Sequence, residues 1–346
     1  MPKLSFCIPT YNRAESVKKL VVEILSCDDP TIEVIVSDNC STDNTLSSLS
    51  MIEDKRLSIY SNVKNQGSLL NAFNALSNAT GEYIIFSTDK DFINSLNISE
   101  FKTFLLENNT LSCGYCEYFP KPGAKNNFFI KGYEAVSKIG YLGNHPSGYF
   151  FNRKMLETTN YLIRFSNKDF IGEFAFDFIS AELAVMGDVA VFNKQLNIPQ
   201  TNSEAAKDKS LSINGTYLNA YYTPTSRLKI TINHTKHINQ LALSVSEKKK
   251  LILEKFIHGL FFATLGYKSI LMNTEICDHY GLELRNIGLF ENINTAWKFY
   301  KEYYDRAELI KEKNHLNKIL FSFLVAKILS TKIIKKIFIR ILMNGR

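Results

Sequence analysis

Leu4-Ser5-Phe6-Cys7-Ile8 and Ile32-Glu33-Val34-Ile35-Val36, with Ala14 to Leu25 between them, decide how this chain folds. The first stretch reads as a buried strand ending at Pro9. The intervening segment places Val17, Leu20, Val21 and Ile24 at the helical period. The second stretch is β-branched and runs into the turn cluster Ser37-Asp38-Asn39, after which Ser41-Thr42-Asp43-Asn44 offers caps for another helix. Working outward, Arg56-Leu57-Ser58-Ile59-Tyr60 predicts a third strand, Ser68 to Asn78 a helix, and Glu82-Tyr83-Ile84-Ile85-Phe86 a fourth strand. Strands alternating with helices predict an α/β fold with an open, mostly parallel sheet, and ligands gather at the carboxyl ends of such strands.

Beyond Asp91 the spacing predicts helices at Ser99 to Glu107 and Gly172 to Met186, then a strand over Asp188 to Phe192. Residues 200–226 are rich in polar and turn-forming types and read as a mobile loop. Leu251 to Leu271, Thr295 to Lys313 and Lys318 to Leu342 read as helices. The expected organisation is a domain over 1–227, with halves at 1–92 and 93–200, followed by a helical region over 228–346.

With 346 residues, 45% hydrophobic and 22% charged, the chain has the composition of a globular protein and not of a disordered or fibrous one. The first residues lack the blocks of a signal peptide, and the six scattered cysteines suit reduced thiols, so a cytoplasmic protein is expected. The net charge of +7 is uneven: Lys327 to Arg346 holds six basic residues and no acidic one. Residues 318–346 mix these charges with apolar residues as an interfacial amphipathic helix does, which points to an anionic surface on the inner face of the cell membrane, ahead of nucleic acid. The same helix would equally pack on the rest of the chain or pair two copies of it.

Neither G-x-x-x-x-G-K-[ST] nor G-x-G-x-x-G occurs, so a nucleotide here needs another device, and a divalent metal held by carboxylates is the usual one. Asp38 follows the second strand and Asp89-Lys90-Asp91 the fourth. In extended backbone Asp89 and Asp91 would face one side and grip one Mg²⁺ or Mn²⁺ together with a diphosphate. The competing reading makes these carboxylates turn formers or helix caps.

Cys7-Ile8-Pro9-Thr10-Tyr11-Asn12-Arg13, Val36-Ser37-Asp38-Asn39-Cys40-Ser41-Thr42-Asp43, Asn65-Gln66-Gly67 with Asn74, Ala79-Thr80-Gly81-Glu82-Tyr83-Ile84 and Asp89-Lys90-Asp91 resemble, in order and spacing, the nucleotide-sugar domain of family 2 glycosyltransferases. The resemblance covers residues 3–92 well and 140–190 more loosely. It implies the GT-A fold and inverting transfer of a sugar from a nucleotide diphosphate, a UDP-sugar first, to a glycan or lipid-linked glycan, with a divalent metal. Pro9, Thr10 and Tyr11 match residues around the base and ribose, Asp38 a carboxylate that accepts a hydrogen bond from the base, and Asn65 and Gly67 further donor contacts. Asp89 and Asp91 match the family's D-x-D. Thr88 and Lys90 depart from the usual acidic run, and Phe73 stands where an Arg often precedes Asn74.

The resemblance also implies a carboxylate base for the acceptor hydroxyl, and Glu173 and Asp177 precede Gly187 at i and i+4 on one helix face. Asp177 is preferred, since Phe174, Phe176 and Phe178 would surround it with apolar bulk. His145, Ser147 and Gly148, followed by Tyr149-Phe150-Phe151, resemble the segment lining the acceptor pocket, with the aromatics either stacking on a sugar or forming a strand buried on both faces. Arg227 could close over the diphosphate. His234 and His237 read as core or solvated residues before metal ligands, and Cys113-Gly114-Tyr115-Cys116 as a structural pair. A sugar nucleotidyltransferase and a catalytically silent scaffold are the alternatives.

Overall fold

The computed structural model describes residues 2–143, 145–165, 175–198, 223–280 and 282–306. The chain divides into two compact units, Met1–Ala205 and Ala206–Arg346.

In the first unit, β1 (Leu4–Thr10), α1 (Ala14–Leu25), β2 (Ile32–Asp38), α2 (Thr45–Ser50), β3 (Leu57–Ser61), α3 (Ser68–Ser77) and β4 (Tyr83–Phe86) follow the expected order. After them come β5 (Phe92–Ile93), α4 (Ile98–Glu107), β6 (Leu111–Cys116), β7 (Asn127–Phe129), α5 (Tyr133–Ile139), β8 (Tyr149–Asn152), α6 (Arg153–Thr158), α7 (Tyr161–Phe165), α8 (Ala175–Met186), β9 (Asp188–Phe192) and β10 (Asn197–Ile198). The main sheet has the order β3-β2-β1-β4-β8-β6-β9-β7. β1 to β4 are mutually parallel where they pair, β8 is antiparallel to both β4 and β6, and β6 is parallel to β9. The carboxyl ends of β1, β2, β4 and β6 and the amino end of β8 therefore share one edge.

Strand β1 runs through Pro9, two residues further than its sequence suggests. Cys7 O accepts from Ser87 N, so odd-numbered residues of β1 face β4, and β4 pairs only as far as Cys7↔Phe86. Pro9, which has no N–H, thus sits where the neighbour has already ended and no ladder bond is lost.

Each face of the sheet carries its own apolar layer. Val17, Leu20, Val21 and Ile24 of α1 and Phe101 and Leu105 of α4 pack with Leu4, Phe6, Ile8, Val34 and Ile85. On the other face Phe176 of α8 lies 4.7 Å from Phe86 and 5.8 Å from Phe151, and Phe73 of α3 lies 5.1 Å from Tyr161, ring centroid to centroid. Phe73 is thus a core residue, fully buried. Tyr149, Phe150 and Phe151 are also buried, so the aromatic run is a core strand and does not present rings to a sugar. Cys113 and Cys116, three apart on β6, point to opposite faces and are buried, with burial pushing the Cys113 thiol up to about 12.

The second unit is helical, with helices at Pro224–Gln240, Val245–Phe261, Tyr267–Leu271, Thr274–Tyr280 and Leu289–Arg306, and a π-helical turn at Phe262–Gly266. Thr223 caps the first of these, accepting from Ser226 N, with Pro224 in the first turn. The expected loop therefore overshoots by three residues, because Thr-Pro is a helix start. Gly259 is the close-packing point: a Cβ there would fall 2.0 Å from Thr231 Oγ1. His234 and His237 are buried, and burial together with Lys255 holds the His234 imidazole well below its ordinary pKa. Among the described residues no helix is long and apolar enough to cross a membrane. The expected loop over 200–222 and the tail 318–346 lie outside the described residues.

Candidate functional site

Two loops at the carboxyl edge are fastened together before any ligand enters. Asn12 N donates to Ser41 Oγ at 2.8 Å, Thr42 N donates to Asn12 Oδ1 at 2.8 Å, and Arg13 N donates to Thr45 Oγ1 at 3.0 Å. Asn71 of α3 adds a buried brace, donating to Thr10 O and Ser37 O and accepting from Ser37 Oγ. Much of the motif thus shapes the edge itself. Thr80-Gly81 is likewise structural: Thr80 N and Gly81 N donate to Glu33 Oε1, and a Cβ on Gly81 would lie 2.5 Å from Ser5 Oγ.

Asp38 is buried at the end of β2. Its Oδ1 accepts from Ser41 Oγ, and its Oδ2 accepts from Ser41 N at 3.1 Å and Ser61 Oγ at 3.0 Å. Asn65 Oδ1 accepts from Asn39 Nδ2 and Gly67 N, both at 2.9 Å. Gly67 has φ of +87° with open space where a Cβ would be, so the backbone, not crowding, calls for glycine there.

Asp89 and Asp91 do not share a side. Residues 89–90 form a turn, with Asp91 N donating to Thr88 O at 3.2 Å, and the turn sends the two carboxylates to different partners. The extended reading of this segment is corrected accordingly. Asp89 turns toward β1: Thr10 Oγ1 donates to its Oδ2 at 2.8 Å and Arg13 Nη1 to its Oδ1 at 3.1 Å, an ion pair with both side chains about nine-tenths buried. Asp91 turns toward β6 and β8: Thr88 Oγ1 at 2.8 Å, Tyr118 Oη at 2.7 Å and Ser147 Oγ all donate to its Oδ2. No hydrogen bond among the described residues falls on Asp91 Oδ1. Tyr118 Oη also meets His145 Nδ1 at 2.9 Å.

Ser147 is buried, so it braces Asp91 and Thr88 and is not a surface contact for an acceptor. Gly148 has φ of +97°, and a Cβ there would fall 2.9 Å from Asn197 Nδ2 and 3.0 Å from Cys116 O; protein packing, not a sugar, takes up its space. His145 remains half-exposed beside Asp91, its pKa lowered because the surroundings penalise the charged form and Lys90 adds to this, against the pull of Asp91. Asp177, in the first turn of α8, is buried and accepts from Gly143 N and from Tyr149 Oη at 3.1 Å. Glu173 lies outside the described residues. Arg227 belongs to the second unit, in the first turns of a helix and not at a loop end, with its guanidinium carbon 5.0 Å from the Phe262 ring centroid.

Arg13 and Tyr118 are the site residues that sequence reasoning passed over. Arg13 closes the first motif, but its partner lies 76 residues on. Tyr118 sits just past β6, and only the strand order brings that end to the same edge as the end of β4, two strands away.

The α/β sheet of the first unit, with two carboxylates just past β4, is that of the GT-A class of folds. Residues 5–165 match the model of the family described as glycosyl transferase family 2, so the first unit carries a family 2 glycosyl transferase domain. The chain is 31% identical over 181 residues to the GalNAc(5)-diNAcBac-PP-undecaprenol beta-1,3-glucosyltransferase of Campylobacter jejuni, a match taking in 50% of this chain and 57% of that one. It is 32% identical over 114 residues to the poly(ribitol-phosphate) beta-N-acetylglucosaminyltransferase TarS of Staphylococcus aureus, spanning 32% of this chain and 20% of that one. The chain thus spans little more than half of the first relative and a fifth of the second. Residues 1–349 of S. aureus TarS, crystallised with UDP-GlcNAc, share the fold at a TM-score of 0.59 and 17% identity, covering 94% of this chain and 90% of that one.

Proposed function

We propose that the chain is an inverting glycosyltransferase that moves a sugar from a nucleotide-diphosphate donor, a UDP-sugar first, to a hydroxyl of a glycan or lipid-linked glycan in bacterial surface polysaccharide synthesis. The observation that carries this is Asp91. Three hydroxyls saturate one of its oxygens and leave the other at the edge where the sheet gathers ligands. The relatives' own names, one acting on an undecaprenol diphosphate-linked glycan and one crystallised with UDP-GlcNAc, support the donor and acceptor classes.

The donor set suits a divalent cation on Asp91 rather than on Asp89, whose oxygens already serve Thr10 and Arg13. No group of three or more His, Cys, Asp or Glu comes together among the described residues. Mg²⁺ or Mn²⁺ held here would therefore complete its shell with diphosphate oxygens and water, the usual arrangement when one or two carboxylates bind such an ion. When bound, it supplies positive charge against the charge growing on the leaving diphosphate. Arg13 adds a fixed cation at the same edge.

Pro9, Thr10 and Tyr11 would line the base and ribose, with Asn65 and Gly67 shaping the loop opposite. Asp38 Oδ1, which accepts only from Ser41 Oγ among the described residues, keeps a lone pair for the base in this reading. In the transfer, the acceptor oxygen bonds to the anomeric carbon as the bond to the diphosphate breaks, and the hydroxyl proton passes to Asp177 or Glu173. Tyr149 and Gly143 fix the carboxylate of Asp177, and His145 is the remaining acceptor contact in this reading. Incubation with UDP-, GDP-, CDP- and dTDP-sugars without acceptor tests it. Slow release of one nucleoside diphosphate is expected, because an active site leaks to water; no release from any of them would favour the silent scaffold.

A lipid-linked acceptor puts the enzyme at a membrane. Helix Leu289–Arg306 exposes Phe290 (82%) and Trp297 (56%), one heptad apart, and the sequence after it carries the basic tail. Aromatic residues favour the lipid headgroup level, and each Lys or Arg near an anionic surface contributes about 1 kcal/mol. Co-sedimentation with phosphatidylglycerol vesicles but not with phosphatidylcholine vesicles is expected, and its loss on truncating 318–346. Equal binding to both would remove the basic tail's attraction to anionic lipid, and binding to neither would remove the membrane from this reading.

A further inference from the structure

We infer that Tyr118 is a positioning residue that joins the donor carboxylate to the acceptor side of the crevice: it fixes Asp91 and, through its oxygen, sets the tautomer of His145. The inference rests on the functional reading above only for what the two ends would bind.

A phenol has one proton to give and an oxygen that accepts. Tyr118 Oη lies 2.7 Å from Asp91 Oδ2 and 2.9 Å from His145 Nδ1. A phenol's ordinary pKa of about 10 keeps the group protonated at neutral pH. A bond to a carboxylate is the stronger of the two on offer, so the proton goes to Asp91. The oxygen of Tyr118 then has only acceptance left, and His145 Nδ1 must be the donor. Ser147 N also approaches Nδ1, but at 3.4 Å, which is the weaker claim on that nitrogen.

Two consequences follow. His145 carries its proton on Nδ1, which leaves Nε2 as an acceptor on a half-exposed ring at the crevice edge, suited to a sugar hydroxyl. Asp91, meanwhile, has Oδ2 saturated by Thr88, Tyr118 and Ser147, so its carboxylate plane is set and Oδ1 alone is offered to a ligand. The ring of Tyr118 packs at 5.4 Å from His145 and 6.4 Å from Tyr115, contacts that the loss of the hydroxyl leaves in place.

The test has a readout that needs no ligand. Imidazole carbon and nitrogen NMR shifts of the full chain, assigned by the signal lost in His145→Asn, are expected to show the Nδ1–H tautomer at His145, and Tyr118→Phe is expected to move it to Nε2–H. A wild-type His145 in the Nε2–H form overturns the inference, whether or not the variant folds. In a folded Tyr118→Phe protein, Mn²⁺ affinity in the presence of UDP is expected to fall about tenfold or more, as for partners that orient a metal ligand. A change under twofold overturns the positioning of Asp91. Failure of the wild-type protein to bind UDP and Mn²⁺ at all would instead count against the functional reading, and the tautomer result would stand apart from it.

Discussion

Asp91→Asn lowers sugar transfer by about three orders of magnitude or more, the scale on which removing one charge-stabilising group from an active site acts. The substitution keeps the size of the side chain and keeps an oxygen to accept from Thr88, Tyr118 and Ser147, so the edge of the sheet stays built. What it removes is the negative charge. Steady-state transfer with the donor identified by the hydrolysis screen, alongside a melting curve, reads this directly. Unchanged melting with lost transfer is the expected pair. A variant retaining more than a tenth of wild-type activity would move the metal from Asp91, with Asp89→Asn the next to make.

Gly114→Ala is the largest stability effect expected of a single methyl group in the first unit. An added Cβ would lie 2.1 Å from Ala190 O and 2.2 Å from Phe150 Cζ, between two neighbouring strands. One obstacle is backbone and the other a fully buried ring, so neither yields as the end of an exposed side chain would. Overpacking of this kind costs about 3 kcal/mol or more. Urea unfolding of the full chain is expected to lose that much, or expression to yield insoluble protein. A loss below about 1 kcal/mol would mean that β6 and β9 can separate, contrary to the parallel register that joins Gly114 to Ala190.

Much of the first unit was legible because its elements carry strong local signals. α1 was read from Val17, Leu20, Val21 and Ile24, and all four are buried against the sheet. β9 was read from its apolar run and starts and ends where expected, at Asp188 and Phe192. The misreadings are non-local. Pro9 looked like a strand end, and it is not one only because β4 has stopped before reaching it. Gly148 and Ser147 looked like sugar contacts because their segment resembles the one that lines the acceptor pocket in family 2 glycosyltransferases. Cys116, Asn197 and Asp91 take up those positions instead, and they lie 32, 49 and 56 residues away in sequence.

The candidate site shows the same division. Asp89 and Asp91 were legible as a carboxylate pair after a strand, while their divergence depends on the turn at Thr88, a residue whose departure from the acidic run was visible but whose hydroxyl role was not. Arg13 was in plain view one residue before α1. Nothing local distinguishes an arginine that pairs with Asp89 from one in solvent. Tyr118 had no signal at all, since its place beside Asp91 follows from β6 lying two strands from β4 and parallel to it.

The measurement that bears most directly on the central claim is the melting temperature of the wild-type chain and of Asp91→Asn with UDP, GDP, CDP and dTDP, each with and without Mn²⁺. A ligand that binds only the folded state raises the melting temperature by mass action. One diphosphate, UDP on this account, is expected to stabilise the wild-type chain when Mn²⁺ is present, and the added effect of Mn²⁺ is expected to vanish in Asp91→Asn. A wild-type chain that responds to no diphosphate in any combination, or an Asp91→Asn chain whose response to Mn²⁺ is undiminished, would contradict it.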